Sequence, residues 1–374
     1  MYYQNMVRYL QGQVEQDLKQ KMVFVGGARQ VGKTTLGMSL LRKKEGYLNW
    51  DVAEHRERIL KRQLPNTPLL VFDEIHKYRA WRNYIKGLYD LRKKEQHILV
   101  TGSARLDFYR YGGDSLQGRY HYLRLHPLSI AELGIISKND FRDLLMLGGF
   151  PEPFFSGSAV AAKRWSREYR TRLIREDLVS LERVLDLGTL ELLVMSLPSR
   201  VGSPLSINAL RTDLQVSHKT VLNWVEILER LYAIFRISPF GTPKIRAVKK
   251  EQKHYHFDWS LVVDKALRFE NLVASHLLKW IHYETDTKGR EMTLRYFRDI
   301  DGREVDFVLL EDEKPISFIE CKWSDVDISP SLRYLKKRFP ASDAYQIYCE
   351  GKKDFVSPEG IRVLPAISFL GQLI

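Results

Sequence analysis

Residues 27–34, Gly-Ala-Arg-Gln-Val-Gly-Lys-Thr, follow directly on an apolar run, MVFVG, and lead into TTLGMSLL, a segment of helical character. A strand, a glycine-rich turn and a helix in that order leave few folds open. The spacing G-x-x-x-x-G-K-[ST] is that of a phosphate-binding loop. Gly27 and Gly32 free the backbone to turn N–H groups toward phosphate oxygens, and the following helix points its positive end at them. The expected nucleotide-binding surface is Gly27, Ala28, Arg29, Gln30, Val31, Gly32, Lys33, Thr34 and Thr35. Lys33 is expected to reach the β- and γ-phosphates of ATP, and Thr34 to ligate Mg²⁺.

LLVFDEIHKY supplies the partner to that loop: an apolar strand that ends in Asp73-Glu74. Asp73 is expected to hold the Mg²⁺ through its water shell, and Glu74 to polarise the attacking water. A carboxylate placed to orient water points to hydrolysis rather than to binding alone. HILVTGSARLDFYR is a further buried strand that ends in small polar residues, so Ser103 or Thr101 is expected beside Glu74, sensing the γ-phosphate. Up to about residue 150, strand-like runs alternate with helical patterns, which predicts a parallel sheet covered by helices.

The order of these motifs resembles the AAA+ ATPases. More closely, it is similar to a bacterial and archaeal family that carries the counterparts of GARQVGKTTL, DEIH, VTGS, GRYHYLRLHPLSIAE and GGFPE. The resemblance spans the chain and implies a characteristic C-terminal domain. It also implies an arginine that completes a neighbouring subunit's site, with Arg119 the first candidate and Arg105 the second, and hence a nucleotide-dependent homo-oligomer.

LGGFPEPFF breaks the alternating pattern, and residues 163–240 are mainly helical. Within them LSINALRTDLQVSHKTVLNWVEILERLYAIFRISPF reads helix, turn, helix, strand, with Ser217 as N-cap, and looks like a winged helix-turn-helix. His218, Lys219, Asn223 and Trp224 are expected on the exposed start of its second helix, where such a module contacts DNA. KRWSREYRTRLIREDL is strongly basic, either lining a nucleic-acid path or pairing with its own acids and water.

Toward the C-terminus, RFENLVASHLLKW is an amphipathic helix with Phe269, Leu272, Val273, Leu277 and Trp280 on one face and Glu270 off it. YFRDIDGREVDFVLL and ISFIECKW read as two strands joined by the turn EDEKP. Alternation puts Glu320 and Lys322 on one face, with Asp306 placed to pair across. Converging carboxylates call for a cation, and oxygen ligands suit Mg²⁺ or Mn²⁺. The set resembles the PD-(D/E)XK nuclease superfamily, which implies Glu270, Asp306 and Glu320 as metal ligands and Lys322 as the catalytic lysine. Val305 stands where that pattern has its proline.

The expected architecture is α/β throughout: a P-loop AAA+ domain over 1–155, a winged-helix linker over 156–240 and a restriction-endonuclease-like domain over 241–374. The 374 residues suit two or three domains. No apolar run reaches membrane-spanning length, and no signal peptide is evident. Cys321 and Cys349 make neither a disulfide framework nor a zinc site, which points to a reducing cytoplasm. With 59 basic against 46 acidic residues the net charge is +13, which favours a polyanionic partner, DNA first. Three functions follow: an ATPase that grips or cuts DNA, an ATP-driven DNA remodeller that does not cut, and a nucleotide-operated switch that scaffolds protein partners.

Overall fold

The strands β1 (Met22–Gly27), β3 (Leu69–Asp73) and β4 (His97–Thr101) are buried along nearly their whole length. Strands covered on both faces read as continuous apolar runs, and these do. With β2 (Tyr47–Asn49) and β5 (Tyr120–Leu125) they form a parallel five-stranded sheet in the order β2-β3-β4-β1-β5. The computed structural model describes residues 6–93, 95–102, 116–178, 186–241 and 252–374. Ser103 and Arg105 lie outside the described residues. The chain divides into two compact units: residues up to Pro127 with Arg230–Tyr232, and Leu128–Glu229 with Ala233–Ile374.

In the first unit, the helices Lys33–Ser39 and Trp81–Leu91 follow β1 and β3. Phe24, Phe72, Trp81, Ile85, Ile98 and Val100 pack into one core. The strand carrying the glycine-rich loop and the strand carrying Asp73 are separated by β4, so the end of β4 lies between the two.

The second unit is built on a mixed eight-stranded sheet of order β12-β13-β11-β10-β9-β8-β6-β7. Its strands are β6 (Ile234–Pro239), β7 (Lys253–His256), β8 (Met292–Arg298), β9 (Glu304–Glu311), β10 (Lys314–Lys322), β11 (Asp343–Tyr348), β12 (Phe355–Val356) and β13 (Arg362–Pro365). β9 and β10 form the expected hairpin. Asp312 and Glu313, with φ of 49° and 63°, make the two-residue turn whose twist suits antiparallel strands. Phe307 pairs with Ile319, which sets Asp306 opposite Glu320 on the next rung, on the same face as Lys322.

The helix Lys265–Lys288 is capped by Asp264, whose Oδ1 accepts from Leu267 N–H at 2.9 Å, and it ends at Gly289 in the left-handed region. It is buried on more faces than one apolar stripe. Asn271, Ser275, His276 and Lys279 are all buried beside Phe269, Leu272, Val273 and Leu277, whereas Trp280 is only partly covered. Each buried polar group has a partner. Asn271 accepts from His256 N–H at 2.8 Å and donates to His256 O at 2.7 Å. Lys279 forms an ion pair with Glu132 and donates to Ser129 Oγ at 2.8 Å. Ser129 also caps the short helix Ile130–Leu133 and donates to Ile374 O. The serine and glutamate of PLSIAEL therefore serve as a buried anchor of this unit.

The helices Ile207–Leu214 and His218–Arg230 flank a turn in which Gln215 has φ of 56°. Thr220 N–H donates to Ser217 Oγ at 3.0 Å, as an N-cap requires. His218 and Lys219 are exposed. Trp224 is not: it is buried beside Val221, Val225 and Leu228, because positions i, i+3, i+4 and i+7 share one helix face. After this pair comes the antiparallel ladder β6–β7, and β6 also pairs in parallel with β8, which merges it into the larger sheet.

Candidate functional site

At the glycine-rich loop the backbone takes conformations that few side chains allow. Gly27 has φ of 142°, and a Cβ there would lie 2.3 Å from Leu125 O, so the position admits only glycine. Gly32 has φ of 103° and stands before the first residue of the helix Lys33–Ser39. The Lys33 ammonium is turned back onto the loop, donating to Gly27 O at 3.0 Å and Ala28 O at 2.6 Å. Those carbonyls stand in for phosphate oxygens.

Asp73 is the hub of a buried network. Its Oδ2 accepts from Thr34 Oγ1 and from Tyr47 OH, both at 2.7 Å, and its Oδ1 accepts from Thr101 Oγ1 at 2.7 Å. Asn49 Nδ2 donates to Tyr47 OH at 3.1 Å. The pairing of Thr34 with Asp73 is the contact expected of two residues that share one hydrated cation. Thr101, at the end of β4, reaches Asp73 directly. Tyr47 and Asn49 were not expected. Their signal is weak, since a tyrosine on the short strand YLN gains its partner only through the β2–β3 register that pairs Asn49 with Asp73. Burial raises the pKa of the Tyr47 hydroxyl well above its usual value, and the hydrogen bond to Asp73 raises it further, so the group stays a donor.

Glu74 follows in the left-handed conformation, φ 56°, with its N–H held by Thr101 O at 2.9 Å. That turn aims the side chain away from the strand. Its Oε2 lies 3.5 Å from both His76 Nε2 and Lys77 Nζ. Burial lifts the carboxyl pKa, while Lys33 and Lys77 pull it back. A carboxylate lifted in this way is a better base for water. Arg119 stands just before β5. Met22 pairs with Tyr120, so Arg119 lies a strand's length from its own loop, paired with Asp90 at 2.9 Å.

In the second unit, Glu270, Asp306, Glu320 and Lys322 come together as expected. Lys322 Nζ donates to Glu320 Oε1 at 2.7 Å, Cys321 N–H donates to Asp306 Oδ2 at 2.8 Å, and Tyr255 OH donates to Glu270 Oε1 at 2.7 Å. Burial, then the neighbouring Asp306, pushes Glu270 up to about 8 and Glu320 up to about 7. Sequence reasoning missed Lys253 on β7. It is ion-paired with Glu304 and lies 3.8 Å from Glu270 Oε1. Among the described residues, no three His, Cys, Asp or Glu side chains are arranged to hold a metal ion. The carboxylates gather around an ammonium and backbone donors instead.

Residues 19–134 match a family whose description is AAA domain. This stretch, which is similar to AAA domains, contains the loop, Asp73, Glu74 and Arg119. Residues 138–272 and 267–369 match two families described as domains of unknown function, DUF8612 and DUF4143. Uncharacterized proteins of Mycobacterium bovis and Mycobacterium tuberculosis are each 23% identical over 329 residues, 83% of this chain and 73% of theirs. An uncharacterized protein of Methanocaldococcus jannaschii is 24% identical over 223 residues, 50% of this chain and 45% of the relative. Among solved structures, a Thermotoga maritima RuvB variant aligns with 61% of this chain and 88% of its own, at 18% identity and a TM-score of 0.29. A Bacteroides Pif1 helicase aligns with 37% and 45%, at 14% identity and a TM-score of 0.22. Scores this low do not establish a common overall fold. No helix among the described residues is long and apolar enough to cross a membrane.

Residues of the second unit carry a pH signature. Burial pushes His254 down to about 4, and His256 and His276 to about 3. The unfolded chain takes up these protons below about pH 6.5, the folded chain only far lower, so stability falls as pH drops through that window. Glu270 and Glu320 act in the opposite sense. Their raised values mean that the fold holds protons the unfolded chain releases above about pH 4.5, so their contribution is lost as pH rises through 7 and 8. Urea unfolding of the second unit, followed by tryptophan fluorescence, is expected to show maximal stability near about pH 6. A flat profile between about pH 4.5 and 8.5 would contradict these assignments.

Proposed function

We propose that the chain is a Mg²⁺-dependent AAA+ ATPase that binds and remodels DNA without cutting it. The observation that carries the enzymatic half is the constellation of Lys33, Thr34, Asp73 and Glu74 at the ends of β1 and β3, on either side of β4. The loop N–H groups and the Lys33 ammonium would hold the phosphates once Lys33 leaves its carbonyl partners. Thr34 and Asp73 fit a cation with its water shell, and Tyr47 and Thr101 keep Asp73 in place. Mg²⁺ bound there would offset charge on the β- and γ-phosphates. Glu74 then orients and deprotonates water. Arg119 cannot serve its own loop from the far end of the sheet, so its use is to a neighbour in a nucleotide-dependent oligomer.

The DNA half is supported by the net charge of +13 and by where exposed bases fall. Lys163, Arg164, Arg167 and Arg172 are exposed along the helix Ala159–Arg172, as is Arg175 just beyond it. His218 and Lys219 are exposed at the start of the second helix of the pair that we read as a winged helix. The C-terminal part is read as a nuclease-like α/β domain, on the strength of Asp306, Glu320 and Lys322 on one hairpin face with Glu270 beside them. Lys253 among those carboxylates favours a gripping domain over a cleaving one.

Affinity for labelled duplex and single-stranded DNA, measured by fluorescence anisotropy, is expected to fall linearly in log–log form with salt, because neutralised phosphates release counterions. Absence of binding even at low salt would favour the protein-scaffolding switch. In the same preparations, light scattering of Glu74→Gln with ATP is expected to show an oligomer. Arg119→Ala is expected to lower hydrolysis while sparing ATP affinity, and a strict monomer at full ATP occupancy would contradict the role in trans.

A further inference from the structure

The guanidinium of Arg8 lies inside the first unit, 5% exposed, just ahead of the helix Gln11–Leu18. A guanidinium is a rigid fork of donors with no acceptor, so burying one calls for fixed oxygens around it. Two carbonyls supply them. Nη1 donates to Val31 O and Nη2 to His126 O, both at 2.6 Å. One arm therefore holds the glycine-rich loop, and the other holds the chain just past β5. The next residue braces that second support: Tyr9 OH donates to Arg124 O at 2.5 Å and accepts from His126 N–H at 3.2 Å. The other end of the loop rests on the same stretch, where Leu125 O leaves Gly27 no room for a Cβ. Val31 is fully buried, and Gly32 follows it with φ of 103°. Among the described residues no peptide bond is cis, so the C=O and N–H of the Val31–Gly32 peptide point in opposite directions. With Val31 O drawn toward Arg8, the Gly32 N–H faces the other way.

We propose that Arg8 is a positioning residue for nucleotide binding: its fork fixes the Val31–Gly32 peptide so that the Gly32 N–H is aimed at a phosphate before the nucleotide arrives. The inference rests on the reading of residues 27–34 as a phosphate-binding loop, and adds to that loop a residue from outside its motif. A backbone N–H contributes most to binding when its direction is already set, because a loop that has to reorient loses conformational entropy on binding. Arg8 acts through the loop and not on the nucleotide. The loop N–H groups meet the phosphates that ADP and ATP share, so removing Arg8 should weaken both alike. A guanidinium that met the γ-phosphate would matter more to ATP. The fork also needs both of its arms, which a lysine cannot supply.

The test is titration of the full chain, unaltered and as Arg8→Met and Arg8→Lys, with fluorescent ADP and, in a Glu74→Gln background that holds ATP unhydrolysed, with fluorescent ATP. Arg8→Met is expected to bind both nucleotides at least about tenfold more weakly and by the same factor, with Arg8→Lys between it and the unaltered chain. With Glu74 in place, single-turnover hydrolysis by Arg8→Met at saturating ATP is expected to stay within about threefold of normal, because Thr34, Asp73 and Glu74 are untouched. A folded Arg8→Met that melts lower yet binds ADP as tightly as before would overturn the proposal and leave Arg8 a brace of the fold. A saturated rate that falls as far as the affinity would overturn it too, as would a loss confined to ATP. Should Arg8→Met fail to fold, Arg8→Lys decides alone: ADP bound at least about threefold more weakly upholds the proposal, and unchanged affinity refutes it. An unaltered chain that binds neither nucleotide would bring down the reading of the loop, and the proposal with it.

Discussion

Glu74→Gln is expected to bind ATP with near-normal affinity and to hydrolyse it at least about a hundredfold more slowly. The loop, Lys33 and the Thr34–Asp73 pair are untouched by the change, so the phosphate contacts survive. The lost element is a carboxylate lifted by burial and aimed away from the strand by a left-handed backbone. Lys33→Ala should behave differently and abolish detectable nucleotide binding, because the loop loses its only lysine ammonium and the phosphates lose their fixed cation. Fluorescent-nucleotide titration beside single-turnover hydrolysis separates the two. Equal loss of binding in both variants would contradict the division of labour.

The second large effect is on stability. Lys279→Ala is expected to cost about 3–5 kcal/mol, measured by urea unfolding, because it takes the ammonium out of a buried ion pair with Glu132. Lys279 and Glu132 are both about 2% exposed, so neither can shed its charge into water. Replacing both, as Lys279→Met with Glu132→Leu, is expected to recover most of the loss, since an apolar pair of similar volume needs no counter-charge. A single variant that unfolds like the unaltered chain would mean that water reaches the pair. A double variant as unstable as the single one would mean that Ser129 and the backbone around it carry the anchor.

Local pattern made the nucleotide site legible. The residues proposed to meet phosphate and cation lie in two short runs, each at the end of an apolar strand, and both runs stand where that pattern put them. The hairpin carrying Asp306 and Glu320 was legible for the same reason, because period-two alternation and a tight turn are local properties. What was not legible depends on long-range register. Tyr47 reaches Asp73 only because β2 lies parallel to β3 with Asn49 opposite Asp73. Lys253 meets Glu270, Asp306 and Glu304 from a strand that nothing in its own sequence ties to them. Ser129 and Glu132 read as part of a nucleotide-domain motif, yet they bond Lys279 far along the chain. Trp224 is a different case. Its spacing from Val221, Val225 and Leu228 already placed it on the buried face, and only the analogy to a recognition helix put it outside.

The central claim is that ATP hydrolysis by the first unit answers to DNA. The most direct measurement is the steady-state ATPase rate of the full chain against increasing duplex and single-stranded DNA, at low and at high salt, with Glu74→Gln as the blank. A rate that rises with DNA at low salt, falls back toward its basal value at high salt and is absent in Glu74→Gln is the predicted result. Robust hydrolysis that DNA leaves unchanged at every salt concentration would contradict it.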